Sequence, residues 1–165
     1  MLTRDLAETI AQHGLIPMES DNVLRRCNEL RKTQSIPSKQ IGRGITAAHD
    51  LTDQGAAMLC TMIYLDAAGF YLKSLSLVRE PLLYAFGDTM GKITVALKSG
   101  KTVTLKLSYR SSNSYHAKIY VGETDLHPPS GEVGKLLETM TDEVLSIEIP
   151  IGRILQPLLH LMKED

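Results

Sequence analysis

The chain of 165 residues contains no tryptophan and two phenylalanines, so stacking on single-stranded nucleic acid, which relies on exposed aromatic rings, has thin support. Cysteine is equally scarce. Cys27 and Cys60 both lie in apolar, helix-like patterns, which favours reduced core thiols over a disulfide or half a metal site. No apolar run approaches the roughly 20 residues that cross a bilayer, and the stretch from Met1 to Gly14 contains acids, unlike a secretory leader. A soluble, cytoplasmic protein without a membrane partner is therefore expected. Nucleophile-elbow, Walker and dinucleotide-binding motifs are all missing, and no histidine pairs with Cys, Asp or Glu at metal-ligand spacing. An enzyme is not expected, nor is a cofactor or metal. His116 and His127, with Glu123 and Asp125 between them, are the one grouping from which an active site would have to be composed, and such residues near a loop are commonplace.

Hydrophobic residues make up 43% and charged residues 22% of the chain, the composition of one ordinary domain or of two small ones sharing a core. Net charge is −1, but it is unevenly spread. Between Asn22 and Ile45 the cations Arg25, Arg26, Arg31, Lys32, Lys39 and Arg43 face the single acid Glu29, a local net of +5. Phosphate contact depends on charge at the point of contact rather than on the whole molecule.

Thr3 caps a first helix that runs to about His13, with Leu2, Leu6 and Ile10 as its apolar stripe and Gly14 as its stop. A second, capped by Ser20 or Asp21, extends through Lys32 with Val23, Cys27 and Leu30 inward and Asn22, Arg25, Asn28, Glu29 and Lys32 outward. Residues 33–44 are polar and basic, a loop or short hairpin. Gly42-Arg43-Gly44 reads equally as a wing approaching phosphate and as a plain turn. A third helix, from Thr52 or Asp50 to about Ala68, carries one apolar stripe through Ala56, Leu59, Cys60 and Ile63 and another through Met58, Met62 and Leu65. Its second stripe needs cover, from the C-terminal half or from a second copy in a homodimer. A fourth helix spans about Gly69 to Val78 and ends by Pro81.

Beyond residue 90 the period shortens to two. Ile93, Val95 and Leu97 alternate with polar residues, as do Val103, Leu105 and Leu107, predicting a hairpin closed by Lys98-Ser99-Gly100 with Gly100 left-handed. A third strand follows over 117–121, a helix over 133–140, a fourth strand over Val144–Ile149 and a closing helix over Ile154–Met162. The fold class is α+β: a helical helix-turn-helix region over 1–80, winged or not, then a small antiparallel sheet with two helices over 90–165 that serves dimerisation or partner binding. Tyr109, Tyr115 and Tyr120, interleaved with Lys106, Arg110 and Lys118, mark a sheet face open to nucleic acid or to a protein partner.

Four stretches, Asp5-Leu6-Ala7-Glu8-Thr9-Ile10, Val23-Leu24-Arg25-Arg26, Glu29-Leu30-Arg31-Lys32 leading to Ile36-Pro37 and Gly42-Arg43-Gly44, and Ala47-Ala48-His49-Asp50-Leu51-Thr52 ahead of the helix Ala56 to Leu65, resemble the N-terminal region of small phage- or prophage-associated helix-turn-helix regulators. That resemblance covers under half of the chain. It implies a sequence-specific transcriptional regulator of double-stranded DNA, with Arg25 and its neighbours in the major groove and Lys39 and Arg43 near phosphate. Asn22, Arg25, Arg26, Asn28, Lys32, Lys39 and Arg43 are the expected DNA contacts. The alternative is a protein-interaction module, an adaptor or phage-encoded inhibitor, whose basic segment meets an acidic partner.

Overall fold

The computed structural model describes residues 1–16, 18–41, 48–126, 128 and 142–162. Among these, the chain is α+β, with six helices and two antiparallel sheets. It separates into two compact units, Met1–Arg79 together with Arg153–Asp165, and Glu80–Gly152. The closing segment from Arg153 therefore goes with the first unit.

In the first unit, α1 (Thr3–Gln12) buries Leu6, Ala7 and Ile10, and α2 (Ser20–Thr33) packs on it through Val23, Cys27 and Leu30. Thr3 is not the cap of α1. Leu2 occupies that position, with its N–H on the Asp5 carboxylate, while the Thr3 hydroxyl donates to the His49 carbonyl. Glu19 occupies the cap position of α2, ahead of the expected Ser20 or Asp21, and makes no side-chain cap bond. The basic loop becomes a two-stranded antiparallel ribbon, β1 (Ser38–Ile41) with β2 (Ala48–Leu51), in the register Lys39 with Asp50 and Gln40 with His49. Gly42-Arg43-Gly44 lies outside the described residues.

Helix α3 (Asp53–Ala67) is capped by the Thr52 hydroxyl, which accepts from the Gly55 N–H at 3.0 Å. A Cβ at Gly55 would stand 2.1 Å from the Pro37 carbonyl oxygen; only glycine lets the start of the ribbon lie on this first turn. Met58, Met62 and Leu65 are as fully buried as Ala56, Leu59, Cys60 and Ile63. The second stripe is thus covered within one chain and makes no demand for a second copy. Cys27 and Cys60 are buried free thiols; enclosure pushes Cys27 up to about 12 and Cys60 well above the ordinary thiol range.

Helix α4 (Leu72–Phe86) begins later than expected and runs through Pro81. The bond that Pro81 cannot donate falls at Leu77, on the exposed side of the helix, where losing it costs least.

The larger correction lies in the second unit. Residues 93–97 are not a strand: α5 (Met90–Lys98) buries Ile93, Ala96 and Leu97 and leaves Val95 65% exposed. Apolar residues at 93, 95 and 97 fit a period of two, yet 93, 96 and 97 fit a helical face, and packing selected the latter. Gly100 is left-handed as expected, with φ +69°, but it closes a helix rather than a hairpin. The Gly100 N–H donates to the Leu97 carbonyl and the Lys101 N–H to Ala96, at 3.0 and 2.9 Å, the Schellman arrangement of a helix end.

The sheet therefore forms from β3 (Val103–Arg110), β4 (Tyr115–Val121), β5 (Thr124–Asp125) and β6 (Glu143–Ile149), in the order β5-β4-β3-β6. Leu105 pairs with Ile119 and Ile149, and Leu107 with Ala117 and Ile147, so one face is apolar across three strands. The closing segment is shorter than expected, α6 (Ile151–Leu155) followed by one 3₁₀ turn, Gln156–Leu158, which packs on α1. The expected helix over 133–140 lies outside the described residues.

Candidate nucleic-acid interface

Helix α2 carries its buried residues on one stripe, which turns Arg25, Asn28 and Lys32, at spacings of three and four, onto the opposite side. Arg25 and Lys32 are exposed and Asn28 is half-buried. Arg25 donates from Nη2 to the Asn22 side-chain oxygen at 3.1 Å, and the Asn28 amide donates to the Leu24 carbonyl at 3.1 Å. Lys39 is exposed on β1. Among the described residues neither Lys32 nor Lys39 forms an ion pair.

Arg26, one of the expected DNA contacts, leaves this face. Its Nε donates to Asp66 at 2.7 Å and its Nη1 to Glu29 at 2.6 Å, while Nη2 also reaches Asp66. These bonds, above all those to Asp66, hold its pKa above the ordinary guanidinium value. The fork is filled by carboxylates of its own chain, because position 26 falls on the flank of α2 that meets α3. Arg43 lies outside the described residues.

A residue outside the expected set is more unusual. Arg31 falls on the buried side of α2 between Leu30 and Gln34; it is 8% exposed, and its Nε is enclosed with no hydrogen-bond partner. Burial lowers its pKa, yet a guanidinium keeps its proton in proteins. Arg31 stands in the last turn of α2, where the helix dipole offers a cation about 0.3–1 kcal/mol. The dipole does not supply the hydrogen bond that the enclosed Nε lacks. The sequence did hold the signal: an arginine interrupting the inward series of Val23, Cys27 and Leu30.

His49 enters from β2, and its Nδ1 is likewise enclosed and unpartnered. Its pKa is held below the ordinary imidazole value, first by burial and then by the charges of Arg31 and Lys32. The turn that brings the ribbon to this end of α2 is made at Ser35, left-handed with φ +49°, where the Ile36 N–H returns to the Arg31 carbonyl at 3.2 Å.

The sheet offers a contrast. Lys106 lies 3.0 Å from Glu143 and Lys118 lies 3.1 Å from Asp125. Tyr109 and Tyr115 face each other with ring centroids 5.0 Å apart, but Tyr120 pairs with Thr104 and so points to the other side of the sheet. The expected tyrosine and lysine grouping is divided between two faces. The His116 ring meets the Ser114 hydroxyl at 3.2 Å, and His127 lies outside the described residues. Among the described residues no three His, Cys, Asp or Glu side chains are placed to hold a metal ion.

Comparison with known protein families, with curated proteins and with solved structures finds no match for this chain.

Proposed function

We propose that the first unit binds double-stranded DNA as a helix-turn-helix, with α2 in the major groove and the β1–β2 ribbon as a wing against the backbone, and that the protein is a sequence-specific transcriptional regulator. The observation that carries this reading is the outward stripe of Arg25, Asn28 and Lys32 on α2, followed directly by a ribbon with Lys39 exposed. Arg25 and Asn28 have the side chains that read base edges, a guanidinium for guanine and an amide for adenine. Lys32, Lys39 and Arg43 serve the phosphates.

A mobility-shift titration across salt concentrations tests this reading. Arg25→Ala is expected to weaken binding to the preferred sequence by about 1–3 kcal/mol, whereas Lys39→Ala weakens all duplexes alike and reduces the salt slope by about one. Binding indifferent to both substitutions would overturn the assignment. One observation favours the rival reading of a protein-interaction module: Val144 and Leu145, on edge strand β6, are 64% and 58% exposed, as a partner-binding strand would be. That reading expects no salt-dependent retention of DNA and capture of a protein through β6.

A further inference from the structure

We infer that a cleft in the second unit, between α5 and the β4–β5 hairpin, binds a small organic anion, an aliphatic chain that ends in a carboxylate. The site lies wholly within Glu80–Gly152, so it does not depend on what the first unit binds.

Backbone hydrogen bonds hold its walls together. At the end of α5 the Lys101 N–H donates to the Ala96 carbonyl at 2.9 Å, and from the hairpin the Gly122 N–H donates to the Thr102 carbonyl at 3.0 Å. Lys92, Val95 and Lys101 thereby line the same cleft as Val121, Thr124 and Leu126, a space of about 480 Å³, within the roughly 300–1,000 Å³ of small-ligand sites.

Three features of this cleft serve nothing in the packing of the chain itself. Val95 is 65% exposed on a helix that buries Ile93, Ala96 and Leu97. Gly91 stands near the start of α5, where glycine weakens a helix relative to alanine, yet a Cβ there would meet nothing within 4 Å. The absent side chain keeps that end of the cleft open. Lys92 and Lys101 are exposed, and among the described residues neither has a carboxylate or a side-chain hydrogen bond, whereas Lys118, in the same hairpin, has Asp125.

The lining sets the chemistry of the ligand. Val95 and the half-buried Val121 and Leu126 offer aliphatic contact, and no aromatic ring stands among the described lining residues for a planar ligand to stack on. No acidic side chain stands there either, so two ammoniums call for a negative head group. A carboxylate at the end of an aliphatic chain meets both demands.

The test uses the full chain and three probes, octanoate, octylammonium and acetate, followed by the methyl resonances of Val95, Val121 and Leu126. Octanoate is expected to shift them saturably, whereas octylammonium, with the opposite charge, and acetate, without the chain, do not. Lys92→Gln combined with Lys101→Gln should weaken octanoate binding about fivefold, the loss of two exposed ion pairs. Gly91→Leu places a side chain where there is room for one, so it is expected to fold, to fill the cleft and to abolish the shifts; urea unfolding checks that both variants are folded. Equal binding of octanoate and octylammonium, indifferent to the lysines, would overturn the anion assignment. Shifts that persist in Gly91→Leu, or no saturable shift in the parent, would overturn the site itself. If the parent self-associates in sedimentation and Gly91→Leu does not, the cleft is a contact between two copies and the proposal falls.

Discussion

On β3 and β4 each lysine of the sheet has a carboxylate about 3 Å away, Lys106 with Glu143 and Lys118 with Asp125. On α2 and β1, Lys32 and Lys39 have none among the described residues, and Arg31 is buried without one. The two regions carry similar residues but differ in their electrostatics. A neutralised lysine contributes little beyond its own pair. Cations left unmatched retain their field for a ligand and lower the stability of the free protein. Basic residues therefore mark an interface by what lies opposite them more than by their number. Arg26 makes the same point inside the basic segment, since its guanidinium belongs to the fold.

The contrast is sharpest at Arg26. Arg26→Ala leaves Asp66, 14% exposed, without its partner, and is expected to cost about 2–3 kcal/mol by urea unfolding, below the range for a fully buried pair. It should leave the salt slope of DNA binding unchanged; a slope lower by one would return Arg26 to the interface. Gly55→Ala, which drives a methyl group toward the Pro37 carbonyl, should cost about 1–3 kcal/mol of stability and weaken duplex binding by disturbing the ribbon. Unchanged stability there would show that the ribbon does not depend on this close approach.

Lys106→Ala and Lys118→Ala are each expected to change stability by less than about 1 kcal/mol and to leave DNA binding untouched. A loss of affinity in either would erase the distinction between the two regions. The smallest effect concerns pH. His49 has a pKa below its ordinary value of 6.5 in the folded chain, so the unfolded chain takes up the proton more readily. Its contribution to stability is complete above that value and is lost as pH falls below it toward the folded pKa. Thermal unfolding from pH 7.5 to 5 should show a decline that His49→Gln reduces, and an identical profile in the variant would remove the effect.

Much of this architecture was legible. The helices α1, α2 and α3 follow from apolar residues recurring three and four apart, and β4 and β6 from alternation. The α5 segment was misread because Ile93, Val95 and Leu97 satisfy both periods; the helical face, completed by Ala96, appears only once packing decides. Gly100 illustrates how local and global signals separate: its left-handed backbone was readable, while the element it terminates was not. In the candidate interface, Arg25, Asn28 and Lys32 were legible from helical spacing. The withdrawal of Arg26 was not, since Asp66 lies 40 residues away in sequence. Arg31 was counted among the cations of the segment but placed on neither face of α2; its position after Leu30 is the only sign of the burial that the structure shows.

The division of the chain has a consequence for how the protein comes into being. The second unit is an insertion, flanked on both sides by segments of the first, and Leu158 near the carboxyl end is wholly buried, in the 3₁₀ turn that packs on α1. During synthesis α1 emerges well before Leu158 and waits for that segment before its packing is complete. The inserted unit, continuous from Glu80 to Gly152, has its whole sequence available earlier, so the unit that begins upstream of it is completed after it.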